Sequence, residues 1–495
     1  MSSRTRMREA QSEARLLSIA QLLLLVSFAL ITSHPAFGQI TNFKHIVYIV
    51  QENRTPDNLF QGLCYPPIGR TTACSTTPGT NQYDIQTANW LDKTSSNGVT
   101  QPIPTTLTGT FDMSHAHSGF LSLCDFNSAT GVCRMDGQAG NHCDPNCPIA
   151  KAQFEYVDYT SGILNPYLTM ATQYGWANYM FQTNQGPSFA AHHFIFGGTS
   201  APTSADDALG IFAAENAQPS ESASGCIATT STTVAIINSS GVEFEYLYPC
   251  LEHTTLPDIL PAGLTWRYYS AGAGYIGNAP TGIAHICQSN EEGGHCLGSE
   301  WLDNDINNPA QVLTDIANCN LASISWVTPT TENSDHARGN DGGGPAWVAS
   351  IVNAIGNSTA CDNNTGYWDN TVIFLTWDDW GGWYDHEPPP VPAAPQNGYQ
   401  YGFRVPLVVI SAYTPVRYID NTRFYDFGSF LRFAEHNFGL TEGALTYADA
   451  RSTTDLTKFF NLKHTPRAFQ TIAAPEDAQF FINDTRPRTD PDDDN

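Results

Sequence analysis

Short runs of apolar residues, each followed at once by a polar cluster, recur along the chain. Residues 46–50 (IVYIV) form one such run, rich in β-branched side chains, and Glu52 and Asn53 follow it directly. Residues 372–379 (VIFLTWDD) repeat the arrangement and end in Asp378 and Asp379. Runs of this length and composition predict buried strands. The polar groups would then lie at the carboxyl ends of strands, where open α/β sheets bind ligands.

The remaining pattern alternates between strands and helices. Further strands are predicted at residues 264–269, 322–328 and 405–410, and helices at residues 165–181, 255–260, 347–355 and 427–438. Asn165 followed by Pro166 suits a helix start, and Gly439 suits a helix end. Strands that alternate with helices predict an α/β fold, with a mostly parallel central sheet and helices on both faces.

The two ends of the chain differ in composition from its middle. Arginines precede an apolar stretch at residues 16–31, and small residues precede Gln39, which predicts a signal peptide over residues 1–38. No later segment reaches the about 18 apolar residues that a spanning helix needs. We therefore expect a secreted or periplasmic protein without stable membrane insertion.

One domain is predicted over residues 39–483, with a possible insertion or small sheet at 201–250 and an acidic, disordered tail at 484–495.

Charge excludes some partners. The formal net charge is −26, which argues against a nucleic-acid backbone or an anionic membrane surface as the main partner. The charge does not argue against a phosphate ester held by a metal ion. Only 14% of the residues are charged, and the abundant small and turn-forming residues suit a loop-rich extracellular protein.

The twelve cysteines all follow the predicted signal peptide. An even number in an exported chain indicates disulfides, although sequence does not fix which cysteines pair. Proximity along the chain suggests the pairs Cys64/Cys74, Cys124/Cys133, Cys143/Cys147, Cys226/Cys250 and Cys287/Cys296, which leaves Cys319 and Cys361. Zinc is the alternative for Cys143 and Cys147, but exported chains favour disulfides over thiolates.

The strand exits carry the candidate chemistry. Adjacent aspartates on a strand point to opposite faces, but at its end both Asp378 and Asp379 can turn towards one cation. The oxygens of Glu52 and Asn53 are suitable ligands for the same divalent ion. Ser188 follows a Gly-Pro turn and is predicted to begin a helix, whose free N–H groups attract an anion. The alternatives are an ordinary polar turn at Glu52 and a helix-capping role for Ser188.

These stretches together resemble the bacterial phosphoesterase family that includes phospholipases C and a respiratory-burst-inhibiting acid phosphatase. The matching pieces, in the family's order, are HIVYIVQENRTPDNLF, FDMSHAHSGF, QGPSFAAHHFIFGGTS, SDHARG, TVIFLTWDDWGGWYDHEPPP, and GFRVPLVVISAY with FLRFAEHNFGL. They cover most of residues 44–440. The resemblance implies an alkaline-phosphatase-like α/β fold and one divalent metal ion. The ligands it implies for that ion are Glu52, Asn53, Asp378, Asp379 and Ser188, with Ser188 also the nucleophile.

The resemblance also assigns roles to histidines. His115 (in D-x-x-H) and His336 (in S-D-H) match histidines that bind or protonate the phosphate. His285 (in IAHI) matches a further one, although the sequence departs from the family pattern after Cys287. We expect His386 either to have a structural role or to support the metal site from outside it. His192 and His193 are expected to be packing residues.

These observations predict an exported, metal-dependent phosphoric ester hydrolase of the acid phosphatase or phospholipase C type. It would act through a phosphoserine on Ser188, with a histidine protonating the departing alcohol. The substrate is expected to be a phosphate ester. A soluble monoester is slightly favoured over a phospholipid, because no extended apolar surface helix indicates a lipid interface. The alternative is an exported binding or surface protein that retains the fold without turnover.

Overall fold

The computed structural model describes residues 43–138, 143–144, 147, 151–219, 223–290, 294–390 and 401–491. These residues belong to one compact unit. The predicted signal peptide lies outside the described residues. Within the described ranges, no helix combines the length and the apolar character needed to cross a bilayer.

The strands and helices follow one another along the whole described chain. The strands are β1 His45–Gln51, β2 Trp90–Leu91, β3 Val99–Thr100, β4 Ile103–Thr105, β5 Asp112–Met113, β6 Phe126–Asn127, β7 Val132–Cys133, β8 Cys143–Asp144, β9 Glu155–Val157, β10 Gly175–Ala177, β11 Phe212–Ala213, β12 Val234–Ile237, β13 Glu243–Leu247, β14 Trp266–Tyr269, β15 Asp305–Ile306, β16 Ile324–Val327, β17 Thr371–Trp377, β18 Leu407–Ser411 and β19 Tyr418–Asp420. The α-helices are α1 Pro56–Leu59, α2 His117–Cys124, α3 Asn165–Gln173, α4 Ser188–Gly197, α5 Ser204–Leu209, α6 Ala284–Cys287, α7 Ser299–Asn304, α8 Gln311–Ala317, α9 Gly344–Gly356, α10 Cys361–Asn364, α11 Phe427–Phe438, α12 Thr446–Arg451 and α13 Ala478–Ile482.

A central sheet joins eight of these strands in the order β15-β14-β16-β1-β17-β18-β10-β19. Neighbouring strands are parallel except on the two sides of β18, which runs opposite to both β17 and β10. Strands β1 and β17, the two apolar runs that stand out in the sequence, are adjacent at the middle of the sheet. The predicted mostly parallel sheet is confirmed.

Helices cover both faces of this sheet. On one face, the cross-strand neighbours Tyr268, Trp326, Tyr48 and Phe374 form a row of stacked rings with centroids 5.7 to 6.2 Å apart. Helix α11 packs on this row, since the Tyr48 hydroxyl donates to the carbonyl of Phe430 at 3.0 Å. On the other face, α3 packs against β17. Both faces are therefore buried, which explains why the strands read as continuous apolar runs.

Most predicted elements match the structure closely, with one exception in the central sheet. The helix predicted at residues 165–181 ends at Gln173, and residues 175–177 form strand β10. The prediction is wrong for the second half because Trp176 and its neighbours pair with β18 and β19, and this pairing outweighs the local helical spacing. Helix α11 ends as predicted, at Gly439 in the left-handed conformation.

Outside the central sheet, residues 201–250 contribute α5 and the separate three-stranded sheet β11-β12-β13. Part of the C-terminal segment is also ordered. Thr489 bonds to Thr331 through both backbone and side chain, and Asp490 is buried. Residues 484–491 therefore do not form the disordered tail that their composition predicted, because their polar groups find partners on the domain. Residues 492–495 lie outside the described part.

The five cysteine pairs predicted from proximity are disulfides, and the two remaining cysteines form a sixth. They join Cys64–Cys74, Cys124–Cys133, Cys143–Cys147, Cys226–Cys250, Cys287–Cys296 and Cys319–Cys361. The zinc alternative for Cys143 and Cys147 is therefore wrong. Five of the six bridges close loops of 24 residues or fewer. They therefore stabilise local loops and do not connect elements that are distant in the sequence.

Candidate active site

The register of the central sheet places two polar strand exits side by side. Gln51 pairs with Trp377, so Glu52 and Asp378 follow at the same level on neighbouring parallel strands. The backbone N–H of Asp378 donates to the carbonyl of Gln51 at 3.0 Å. The N–H of Asn53 donates in turn to Oδ1 of Asp378 at 3.2 Å. Both exits are fully buried, so their polar groups face one another rather than solvent.

Ser188 is the first residue of helix α4 and lies against the same acids. Its hydroxyl donates to Oδ2 of Asp378 and lies 3.4 Å from Oδ2 of Asp379. The turn before it is held by two buried amides, because Gln182 and Asn184 donate to the carbonyl of Gly186 at 2.6 and 2.8 Å. Pro187 occupies the capping position. The serine hydroxyl therefore faces the acids instead of capping the helix, and the helix-capping alternative is wrong.

A glycine permits the loop after β17 to approach this cluster. The N–H of Gly381 donates to Oδ1 of Asp379 at 2.7 Å, which fixes the carboxylate. Gly381 has φ +62°, and a Cβ there would come within 2.4 Å of the carbonyl oxygen of Asn53. Any other residue would push the loop off the Asn53 backbone. Gly381 therefore allows the loop to lie against the backbone of Asn53.

The amide of Asn53 lies between the acids and the two histidines. In one orientation its nitrogen faces Nε2 of His115 at 3.3 Å. In the reversed orientation the nitrogen donates to Asp378 and Asp379 at 3.0 and 3.2 Å. The side-chain oxygens of Glu52, Asn53, Ser188, Asp378 and Asp379 are hard donors, the type that binds divalent cations.

Two of the three predicted catalytic histidines border the cluster. Nδ1 of His115 donates to the carbonyl of Met113 at 2.8 Å, and its Nε2 lies 3.8 Å from Oδ2 of Asp379. The ring of His336 lies 6.0 Å from that of His115. In the reversed orientation, the Asn53 oxygen would accept from Nε2 of His336 at 2.9 Å. Both rings are buried, and both lie next to the amide of Asn53.

The structure places His285 in a different environment. This half-exposed ring binds Glu252 through Nδ1 at 2.9 Å and Asp258 through Nε2 at 3.1 Å. The hydrogen bond to Asp258 is the main cause that raises the pKa of His285 to about 9. With both nitrogens held by carboxylates, the ring has no nitrogen left for a phosphate. The structure gives no support to the catalytic role that the family resemblance implies for His285.

Arg54 and Asp335 brace the site without facing it. Arg54 donates to the carbonyls of Asp335 at 2.8 Å and Leu107 at 3.0 Å, so it ties together two loops that border the site. The Asp335 carboxylate accepts from the indole of Trp377 at 3.0 Å. Burial raises the pKa of Asp335 to about 7. The arginine of the ENR segment therefore acts on the position of the loop that carries His336.

His386 lies in a buried ionic network beside α1. Its ring binds Asp57 at 2.7 Å and Asp84 at 2.9 Å. Burial opposes a charge on the ring, but the two carboxylates outweigh it and raise the pKa of His386 to about 10. Arg404 completes the network through Asp385 at 2.8 Å. These contacts give His386 a structural role, and its support of the metal site stays a prediction.

Sequence reasoning missed His192. Its Nε2 lies 3.5 Å from Oε1 of Glu52 and 3.9 Å from Oδ2 of Asp378. The donor atoms of these three residues lie within 4.8 Å of one another. His192 is therefore part of the acidic cluster, and the prediction that it only fills space is wrong. The signal was its spacing, because residues four apart lie on the same face of a helix and Ser188 starts this one.

A cavity of about 300 Å³ lies close to these residues. Its lining includes Pro187 and Ser114, the neighbours of Ser188 and His115 in the chain. Glu215 and Tyr246 also line it. Burial, together with the nearby Glu243, raises the pKa of Glu215 to about 8. The cavity offers room for the part of a substrate beyond the reacting group.

The family model described as Phosphoesterase family matches residues 43–441. Phospholipase C B of Mycobacterium tuberculosis is 28% identical over 182 residues, which cover 32% of this chain and 33% of the relative. The non-hemolytic phospholipase C of Pseudomonas aeruginosa is 25% identical over 240 residues, which cover 42% of this chain and 33% of the relative. The chain thus spans about a third of the length of these relatives.

A solved structure gives a weaker likeness. A protein in the alkaline phosphatase superfamily from Vibrio parahaemolyticus shares 13% identity, with a TM-score of 0.31. The superposition covers 59% of this chain and 63% of that one. At this TM-score the likeness carries no argument about function.

Proposed function

The chain belongs to the phosphoesterase family, and from this premise we propose that it is a metal-dependent phosphoric ester hydrolase that acts through a phosphoserine on Ser188. The observation that carries the proposal is the contact of the Ser188 hydroxyl with Asp378 at the start of α4. A hydroxyl at that position has an acidic metal site on one side and a helix N-terminus on the other. Both arrangements stabilise the developing charge of a phosphoryl group.

The ligands proposed for the cation are Glu52, Asn53, Ser188, Asp378 and Asp379. A divalent cation in this set would offset the charge of the phosphoryl oxygens and favour the deprotonated form of the serine. The proposed cation explains how these acidic side chains can be buried. Carboxylates this deep in a protein are unfavourable unless a positive charge or hydrogen bonds compensate them.

The proposed reaction has two displacements at phosphorus. In the first, Oγ of Ser188 forms a bond to phosphorus while the bond from phosphorus to the alcohol oxygen breaks. His115 or His336 gives a proton to the departing alcohol, since both rings border the acidic cluster that contains Ser188. In the second, water attacks the phosphoserine, releases phosphate and restores the hydroxyl. The cavity beside Pro187 holds the departing alcohol in this scheme.

The test compares turnover with and without metal. The purified protein is treated with a chelator, and the release of nitrophenol from a chromogenic phosphate is measured before treatment, after it, and after divalent ions are returned. We expect loss of activity and recovery with at least one ion. Activity that survives complete removal of metal would contradict the proposed metal dependence. A chain that folds and binds metal but releases nothing from any phosphate ester would favour the alternative, a binding protein without turnover.

Two observations favour a phospholipase C type among the possible substrates. The relatives named above are phospholipases C. In addition, Phe244 and Tyr246 are 51% and 68% exposed on β13, and Tyr246 lines the cavity beside Ser188. Phe244 lies at the irregularity in the pairing of β13 with β12, two residues before Tyr246, so the strand that borders the cavity exposes two aromatic rings. An aromatic rim can contact the acyl chains of a lipid.

A substrate panel with matched variants separates the two substrate types. Phosphatidylcholine vesicles and a soluble chromogenic monoester are compared for the native chain, for Phe244→Ala and for Phe480→Ala. Phe480 is the control because it is 49% exposed but lies on α13. If the lipid is the substrate, Phe244→Ala should slow hydrolysis of vesicles several-fold and leave the monoester rate unchanged. Equal effects on both substrates, or none, would favour the monoesterase.

Export is proposed on two grounds. The first is the signal-peptide pattern of residues 1–38, and the second is the set of six disulfides, which form and persist in oxidising compartments. The amino terminus of protein purified from the medium or periplasm should begin near Gln39. Recovery of the full-length chain from the cytoplasm alone would contradict export.

A further inference from the structure

His192 occupies a position that the proposed metal ligands do not explain. It lies one turn after Ser188 on α4 and is fully buried. Its Nε2 points between Oε1 of Glu52, at 3.5 Å, and Oδ2 of Asp378, at 3.9 Å. Both distances are longer than a hydrogen bond between a nitrogen and a carboxylate, and both are short enough for one ion to bridge the atoms.

The other nitrogen of the ring fixes the tautomer. The hydroxyl of Tyr268 donates to the carbonyl of Gly277 at 2.7 Å, which uses its single proton. The same hydroxyl lies 3.2 Å from Nδ1 of His192. Because that oxygen can then only accept, Nδ1 of His192 carries a proton and donates to it. In the neutral ring the lone pair is therefore on Nε2, on the side of the carboxylates.

A lone pair that faces carboxylate oxygens is unfavourable unless a positive charge lies between them. Atoms bound to one ion at about 2.0–2.2 Å lie at most about 4.4 Å apart. The donor atoms of Glu52, His192 and Asp378 lie within 4.8 Å of one another, so small side-chain rotations bring all three onto one ion. The ring is also oriented from its other side, because the Tyr268 hydroxyl accepts from Nδ1.

The next residue provides a contrast. The ring of His193 packs on Phe189, with centroids 4.6 Å apart, and faces Gly282. Burial is the main cause that lowers the pKa of His193 well below its usual value. The two histidines are thus equally buried neighbours on one helix, but the ring of only one of them lies against the acidic cluster. His193 is the matched control for His192.

We propose that His192 is a nitrogen ligand of the same cation, so that the site prefers a transition metal ion to calcium or magnesium. This inference rests on the metal site of the proposed function. Imidazole nitrogen suits ions such as zinc, iron and nickel, whereas calcium and magnesium prefer oxygen ligands alone. His192 therefore shifts the preference of a site that is otherwise built of oxygen donors towards transition metal ions.

The test measures metal binding directly rather than turnover. Metal-free protein is titrated calorimetrically with Mn²⁺ and with Ca²⁺, for the native chain and for His192→Gln and His193→Gln. The Mn²⁺ complexes of protein with ¹⁵N-labelled histidine are then examined by pulsed electron paramagnetic resonance, which detects a histidine nitrogen bound to the ion. We expect this nitrogen signal in the native chain and in His193→Gln, and its loss in His192→Gln.

The expected affinities follow from the same assignment. Loss of the ligand should weaken Mn²⁺ binding by at least about 10-fold and change Ca²⁺ binding much less. The inference is overturned if the native chain binds Mn²⁺ without a histidine nitrogen, which is the result expected when His192 is a protonated partner of Glu52. It is also overturned if the nitrogen signal persists in His192→Gln. A native chain that binds no divalent ion refutes the metal site itself. The native spectrum decides the question even if His192→Gln fails to fold.

Discussion

Ser188→Ala is the substitution that tests the proposed mechanism most directly. It removes one oxygen atom from a side chain that is fully buried at the start of α4. The lost hydroxyl donates to Asp378 and lies 3.4 Å from Asp379. It makes no helix-capping bond, so the substitution does not weaken the helix end. The structural effect is therefore limited to one hydrogen bond to a charged group.

The magnitudes of the two expected effects differ widely. A buried hydrogen bond to a charged group contributes about 1.5–3 kcal/mol, so stability should fall by about 2 kcal/mol. Loss of the nucleophile should instead lower turnover by at least about 10³-fold, which corresponds to about 4 kcal/mol in the activation free energy. A partly destabilised but folded enzyme would keep most of its rate. One variant therefore distinguishes a loss of stability from the loss of the nucleophile.

The assay measures turnover on a chromogenic phosphate, with folding checked by circular dichroism and urea denaturation. Ser350→Ala is the matched control, because Ser350 is also buried and its hydroxyl donates to the carbonyl of Trp347 at 2.7 Å. We expect this control to keep near-native turnover. Acid-quenched native enzyme should also carry phosphate on the peptide that contains Ser188.

The reasoning would be refuted by a folded Ser188→Ala variant with turnover near that of the native chain. Ser188→Thr adds a second check, because it retains a hydroxyl at the same position. It should recover part of the activity that Ser188→Ala loses. If the threonine and alanine variants are equally inactive while both bind metal normally, the position tolerates only serine, and the phosphopeptide then becomes the deciding measurement.

Two further predictions concern stability, and a third concerns the disulfides. Burial raises the pKa of Asp305 to about 8, so the native state favours its neutral form and loses stability as pH rises towards that value. Asp305→Asn should therefore gain stability relative to the native chain between about pH 5 and about pH 8, by up to about 1.4 kcal/mol per pH unit, and an unchanged pH profile in urea denaturation would contradict this. His386→Gln should lower the free energy of unfolding by about 3 kcal/mol near neutral pH, because Asp57 and Asp84 lose their cationic partner. This loss should shrink as pH rises through about 10, where the native ring is deprotonated; a loss independent of pH would point to packing instead. The denatured, unreduced mature protein should show no titratable thiol, since six disulfides use all twelve cysteines, and two or more reactive thiols would disprove the pairing.

The sequence by itself determined the features that depend on neighbouring residues. An unbroken β-branched run gives a buried strand wherever it is placed in the sheet, which is why β1 and β17 were predicted closely. A helix that reaches a glycine able to adopt positive φ ends there, as α11 does at Gly439. Cysteines separated by a few residues meet because short loops close easily. The acids at the strand ends were predicted for the same local reason.

Tertiary structure decided which of these local features meet. Residues 175–177 have helical spacing but form a strand, since two neighbouring strands offer them hydrogen bonds. His285 matches a family motif, yet Glu252 and Asp258 hold both of its nitrogens. His192 lies against Glu52 although 140 positions separate them in the chain. Such contacts depend on the register of parallel strands and on the rotation of a helix about its axis, which packing fixes across the whole domain and local spacing does not encode.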